Sequence, residues 1–178
     1  MGRNEKLLVK AETGFTQKAE ISYQNPYIDP QKTLGLTINL AYSTQKNLAF
    51  RTQNDTLSFL NSDKVLREKW TGGIQFRKRI KFYDFQTVEL KYTHSIIADT
   101  IAHLNPSYFG QSKTEQNYAQ LGYAFSYDFR DFVTYPLRGR KIDASFTKYG
   151  LLKTDNVDFW EASASVAFFF DLGSRFFL

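Results

Sequence analysis

Hydrophobic and polar positions alternate with a period of two along most of the chain, the signature of β-strands whose faces meet different surroundings. The longest example runs from Tyr118: Ala119, Leu121, Tyr123, Phe125 and Tyr127 share one parity, and Gln120, Gly122, Ala124, Ser126 and Asp128 the other. Ile142, Ala144 and Phe146 resume it against Lys141, Asp143, Ser145 and Thr147. Upstream, Ala19, Ile21 and Tyr23 oppose Lys18, Glu20, Ser22 and Gln24, after a shorter run over Leu7–Gly14. Leu34, Leu36, Ile38, Leu40 and Tyr42 form the cleanest run, followed by Trp70, Ile74 and Phe76, then Val88, Leu90 and Tyr92. Trp160, Ala162, Ala164, Val166, Phe168 and Phe170 form the last full strand, and Arg175–Leu178, after a turn at 171–174, reads as the start of a ninth. No helix-period segment interrupts them.

The breaks are as informative as the runs. Pro26 and Pro30 cannot donate to a ladder and mark a turn. The charged stretch from Asp128 to Gly139, with Pro136 inside it, reads as a connection. Arg51–Arg67 and about 98–116 are polar and predict long loops, two strands apart and therefore on one side of the sheet. The tight connections near 81–84 and 171–174 fall on the other side. Strands of about 8 to 13 residues exceed the usual globular length and suit a tilted bilayer crossing. Short turns on one side and long loops on the other belong to outer-membrane barrels. Tyr23, Tyr27, Tyr42, Trp70, Tyr92, Tyr127 and Trp160 near strand ends suit interfacial girdles. The fold predicted is an all-β, antiparallel transmembrane barrel, with a soluble sandwich or lipocalin-like barrel as the alternative.

Composition narrows the chemistry. Seventeen Phe, eleven Tyr and two Trp make 17% of 178 residues, although the mean hydropathy of −0.43 is that of a hydrophilic protein. Absence of Cys excludes a disulfide framework and thiolate metal sites. A net charge of +5 spread along the chain does not point to nucleic acid. No apolar run reaches the roughly 18 residues of a membrane helix, and Met1–Lys6 leads into no signal-peptide core. His94 and His103 lack supporting ligands, and no nucleophile-elbow, zinc-helix or phosphate-loop motif occurs. Asp128, Arg130 and Asp131 read as charges that pair with one another to fix a hairpin, not as catalytic carboxylates. Glu12, Glu20, Glu89, Lys10, Lys18, Lys91 and Arg77 on the polar parity fit a hydrated lumen. No catalytic, cofactor or metal residue is expected.

Two motifs carry a resemblance. Tyr127-Asp128-Phe129-Arg130-Asp131, followed by Tyr135-Pro136 and Arg138-Gly139, resembles a barrel hairpin of BamA/TamA-type outer-membrane assembly proteins, the bacterial surface antigen family. Asn25-Pro26-Tyr27 is similar to a periplasmic turn of that family, four strands earlier. Arg51–Asn54 and Ala98–Ile101 resemble the corresponding segments of Bacteroidetes-type members. The resemblance implies one incomplete domain, residues 1–178, with about eight to nine strands of a barrel of about 16. It implies a fragment open at both ends, without upstream POTRA repeats, with Arg175–Leu178 an interrupted strand and not an aromatic-ended terminal signal.

By that resemblance the whole protein would help insert and fold β-barrel proteins in the outer membrane. It would use no cofactor and do no covalent chemistry, so it would not be an enzyme. Its partners would be outer-membrane lipids, lipopolysaccharide at the loop lysines, unfolded barrel substrates and assembly-complex lipoproteins. A channel or two-partner secretion transporter, and a soluble barrel carrying an apolar ligand, are the alternative functions. Asn25, Pro26, Tyr27, Asp128, Arg130, Asp131, Pro136 and Gly139 are the expected turn residues. Tyr23, Tyr42, Trp70, Tyr92, Tyr127 and Trp160 are the expected interface aromatics.

Overall fold

Ten strands and one short helix follow one another in the structure, a computed structural model that describes residues 4–110 and 112–171. They are β1 (Lys6–Glu12), β2 (Thr16–Asn25), β3 (Leu34–Gln45), β4 (Asn47–Gln53), β5 (Thr56–Asn61), β6 (Arg67–Arg79), β7 (Asp84–Ile97), α1 (Asp99–Leu104), β8 (Glu115–Arg130), β9 (Gly139–Tyr149) and β10 (Phe159–Phe169). Eight of them form one antiparallel sheet in the order β1-β2-β3-β6-β7-β8-β9-β10. This is a partial barrel wall. The expected ninth strand at Arg175–Leu178 lies outside the described residues. No described helix is long and apolar enough to cross a membrane, which leaves crossing by strands untouched.

Every ladder of this sheet keeps a single register, with no bulge. Since side chains alternate strictly across a strand, one face can be followed across all eight. Leu7 lies opposite Tyr23, then come Ile38, Ile74, Leu90, Leu121, Lys148 and Trp160. Leu7 is one residue from the start of β1 and Trp160 one residue from the start of β10, yet those starts lie at opposite ends of the sheet. The row therefore climbs from one end to the other. Strands must slide past one another in this way, tilted to a common axis, for a sheet to curve towards a barrel.

Connections divide between two ends. Residues 26–33, 80–83 and 131–138 lie at one, and 13–15, 46–66, 98–114 and 150–158 at the other. The long segments share an end as expected, but the three-residue turn 13–15 is there too, so short and long do not separate fully. Two expectations for the long segments fail. The stretch read as a polar loop over Arg51–Arg67 holds most of the β4–β5 hairpin, which begins at Asn47, and α1 lies in a chain read as free of helix. Asn54 and Asp55 both adopt positive φ (50° and 58°), the turn geometry that lets two strands twist together, and these residue types tolerate it.

The only compact hydrophobic core among the described residues sits at this end, not in the sheet. Leu48, Leu66, Ile97, Ile101 and Ala102 are buried, with Phe50, Leu60, Ala98, Tyr108 and Phe109 packed around them. The Asn105 amide donates to the Phe50 carbonyl at 2.6 Å, and the Ala98 N–H to that of Leu66 at 2.9 Å. The hairpin and the helix thus form one cap.

Candidate functional site

With so little buried, the large side chains of the sheet face outward. On the apolar parity Ile21, Leu40, Ile74, Leu90, Leu121, Tyr123, Phe146 and Val166 are all exposed. Leu40 shows 61% of its surface and Leu90 51%, in the middle of their strands. The opposite parity carries Lys10 opposite Glu20, Gln75 opposite Glu89, and Asn39, Lys91, Thr147 and Ser145 on neighbouring rows. Water penalises a contiguous apolar surface of this breadth, whereas hydrocarbon does not. Between paired strands the ladders also leave no N–H or C=O to solvate. The arrangement suits a wall between a bilayer and an aqueous interior.

Aromatic and charged groups flank that face. At the cap end Tyr42 packs on Trp70 with ring centroids 4.2 Å apart, and Phe146 on Trp160 at 4.8 Å. Lys148 reaches over the Trp160 ring, 4.7 Å from its centroid, and pairs with Asp158. At the opposite end Tyr83 meets Phe129 edge-on at 4.7 Å, with Tyr127 beside both, and Arg140 lies 5.2 Å over Tyr127. Tyr23 lies two residues from the end of β2 at this same end. Tyr92 does not sit at an end: it stands in mid-strand between Gly72 and Ala119. Tyr83, Phe129, Arg140 and Lys148 join these bands although periodicity did not single them out. Their signal was a long or aromatic side chain placed at a strand terminus.

The two turn motifs lie at the end away from the cap, and β3, β6, β7 and β8 of the sheet run between their connections, the expected four strands. In the first, the Asn25 side-chain oxygen accepts from the Tyr27 N–H at 3.1 Å, closing a turn about Pro26. Asp29 completes it by accepting from the Thr33 N–H at 2.9 Å, the Leu34 N–H at 2.8 Å and the Thr33 hydroxyl at 2.7 Å. These bonds, that from Leu34 foremost, hold the Asp29 carboxyl below its ordinary range.

In the second motif Arg130 grips Asp128 with both edges of its fork, Nε to Oδ1 at 2.7 Å and a terminal nitrogen to Oδ2 at 2.6 Å. Its other terminal nitrogen donates to the Val133 carbonyl at 3.1 Å. Asp131 does not share this pair, contrary to the expectation that all three charges pair together. One of its oxygens instead collects the N–H groups of Phe132, Leu137 and Arg138 at 2.9, 3.0 and 3.1 Å. Burial, the largest single influence on Asp131, pushes its carboxyl up; the N–H groups of Arg138, Phe132 and Leu137 outweigh it and leave it below the ordinary range. The competing partner for Arg130 is thus strand geometry, which puts residues i and i+2 side by side. Pro136 is half-buried in the connection. Gly139 closes it at φ +119°, where a Cβ would collide with the Phe129 carbonyl oxygen.

A family model for the Omp85 superfamily domain matches residues 1–178. Among solved structures, the chain is similar to the crystal structure of BamA from Haemophilus ducreyi lacking POTRA domains 1–3, with a TM-score of 0.64 at 14% identity. The match covers 97% of this chain and 33% of that one, so the chain spans about a third of its length. A search of curated proteins gives no match.

Proposed function

This chain belongs to the Omp85 superfamily, and from that premise we propose that it is part of an outer-membrane assembly factor that helps insert and fold β-barrel proteins. The observation that carries the reading is the unbroken apolar face, exposed across eight strands in register and flanked by aromatic ends. It supports residence in the bacterial outer membrane, with the connections 26–33, 80–83 and 131–138 in the periplasm and the cap outside. In this reading the turn residues Asn25, Pro26, Tyr27, Asp128, Arg130, Asp131, Pro136 and Gly139 hold barrel shape on the periplasmic side. Tyr23, Tyr42, Trp70, Tyr127 and Trp160 anchor the wall at the two interfaces, and Tyr92 faces acyl chains. Lipids, lipopolysaccharide at the cap, unfolded barrel proteins and assembly lipoproteins are its partners. The work is mechanical and electrostatic, with no bond made or broken.

The test uses the whole protein purified in detergent and reconstituted in liposomes. Insertion of a urea-unfolded barrel protein, read as protease protection and as a mobility shift on unheated gels, should run faster in these liposomes than in empty ones. Equal rates would remove the assembly role. Recovery of the folded protein from the aqueous fraction without detergent would remove the membrane reading altogether.

A further inference from the structure

The polar face is not uniformly charged. At the end away from the cap, between the 26–33 connection and the ends of β1, β3, β6 and β7, lies a cleft of about 400 Å³. Four cations line it: Lys6 from β1, Lys32 from the connection, and Arg77 and Arg79 from β6. Among the described residues no carboxylate lines it. Three acids border it without lining it: Asp29 is taken up by Thr33 and Leu34, Glu5 accepts from the lining residue Asn25, and Glu89 stands opposite the lining residue Gln75. Among the described residues none of the four cations has an ion-pair partner. Elsewhere on the sheet Lys18, Arg130 and Lys141 each have a carboxylate within 2.8 Å.

Arg77 is held by an aromatic ring instead of an acid. Its guanidinium carbon lies 4.5 Å from the centroid of Phe85, which fixes the plane of the fork and leaves its donors unspent. Four like charges brought to one cleft repel one another, and the cost is relieved by an anion carrying more than one charge. Planar guanidinium forks match the oxygens of phosphate, and two lysines add mobile point charges. The volume exceeds what a single orthophosphate fills. The cleft opens on the polar parity, across the sheet from the exposed apolar side chains, so an anion reaches it from water.

We propose that this cleft binds a soluble anion bearing at least two linked phosphate groups. The assignment needs the fold and the polar face but not the assembly role. Inorganic pyrophosphate, titrated calorimetrically into the whole protein in an uncharged detergent at low salt, should bind saturably at one site and weaken as salt is added. Arg77→Gln should weaken it about tenfold or more, because a charge-assisted bond is lost. Lys32→Gln, in the 26–33 connection outside every strand, should weaken it severalfold. Lys10→Gln, on the same face outside the cleft, should leave it unchanged. No saturable binding at about 10 mM, where even a millimolar site would fill, overturns the proposal. So does an equal loss in Lys10→Gln, which would reveal only diffuse attraction. Tighter binding of a short-chain phosphatidic acid, competitive with pyrophosphate, would overturn the soluble source.

Discussion

Three aspartates fix three connections by the same device. Asp29, Asp131 and Asp155 each turn a carboxylate onto several backbone N–H groups; Asp155 takes those of Ala119, Leu151 and Leu152 at 3.1, 2.8 and 2.9 Å. For Asp29 and Asp131 the folded carboxyl titrates below its unfolded value of about 3.9. Their stabilisation is therefore fully present above about pH 5 and is lost as pH falls through the lowered folded values. Unfolding in detergent, followed on unheated gels, should show a denaturant midpoint that drops between pH 5 and pH 3. In the double variant D29N/D131N that drop should shrink, with a lower midpoint at neutral pH. Gly139→Ala should cost roughly 1–3 kcal/mol from the positive φ alone, with the carbonyl collision added, read as a fall in the same midpoint. The sequence showed that 128–139 is a turn, because Pro136, Gly139 and the charges break an alternating run. It could not show which acid Arg130 holds. Asp128 and Asp131 are both near it in the chain, and only the extended backbone to residue 130 puts Asp128 beside it.

At the scale of elements, strands were legible and the cap was not. Alternation located all eight strands of the sheet, since apolar and polar residues occupy opposite parities along each, even in β1 and β10, where both parities are exposed. The β4–β5 hairpin escaped because its strands are short and Arg51, Thr52 and Gln53 obscure the pattern, although Asn54-Asp55 was a visible turn signal. Helix α1 is six residues long, too short for a helical period to register. Its Ile101 is fully buried and is the keystone of the cap. Ile101→Ala should cost about 2–5 kcal/mol of local stability. Limited trypsin digestion should then cut sooner at Lys46, Arg51 or Lys64, while the sheet keeps its unheated-gel mobility. Equal cleavage rates with and without the substitution would show that the cap does not depend on this packing.

For the whole molecule, the two parities should answer oppositely to the same substitution. Leu90→Arg places a charge in the middle of the apolar face and should cost about 2–4 kcal/mol in a bilayer. Glu89→Arg, its neighbour on the polar face, should leave folding yield in liposomes nearly unchanged. Parity was readable from sequence, but the climb of the row from Leu7 to Trp160 was not, because register between strands is a property of pairs. That climb explains why Tyr23 lies near one rim and Trp160 near the other.

The unbroken register has a consequence for descent. A single residue gained or lost inside any of these strands would turn every later side chain of that strand from oil to water, so such lineages are purged at once. Gaps that survive among kindred sequences should therefore come in twos within strands and freely in the cap. Generations of change would then be recorded at one rim, while the wall keeps the ancestral count.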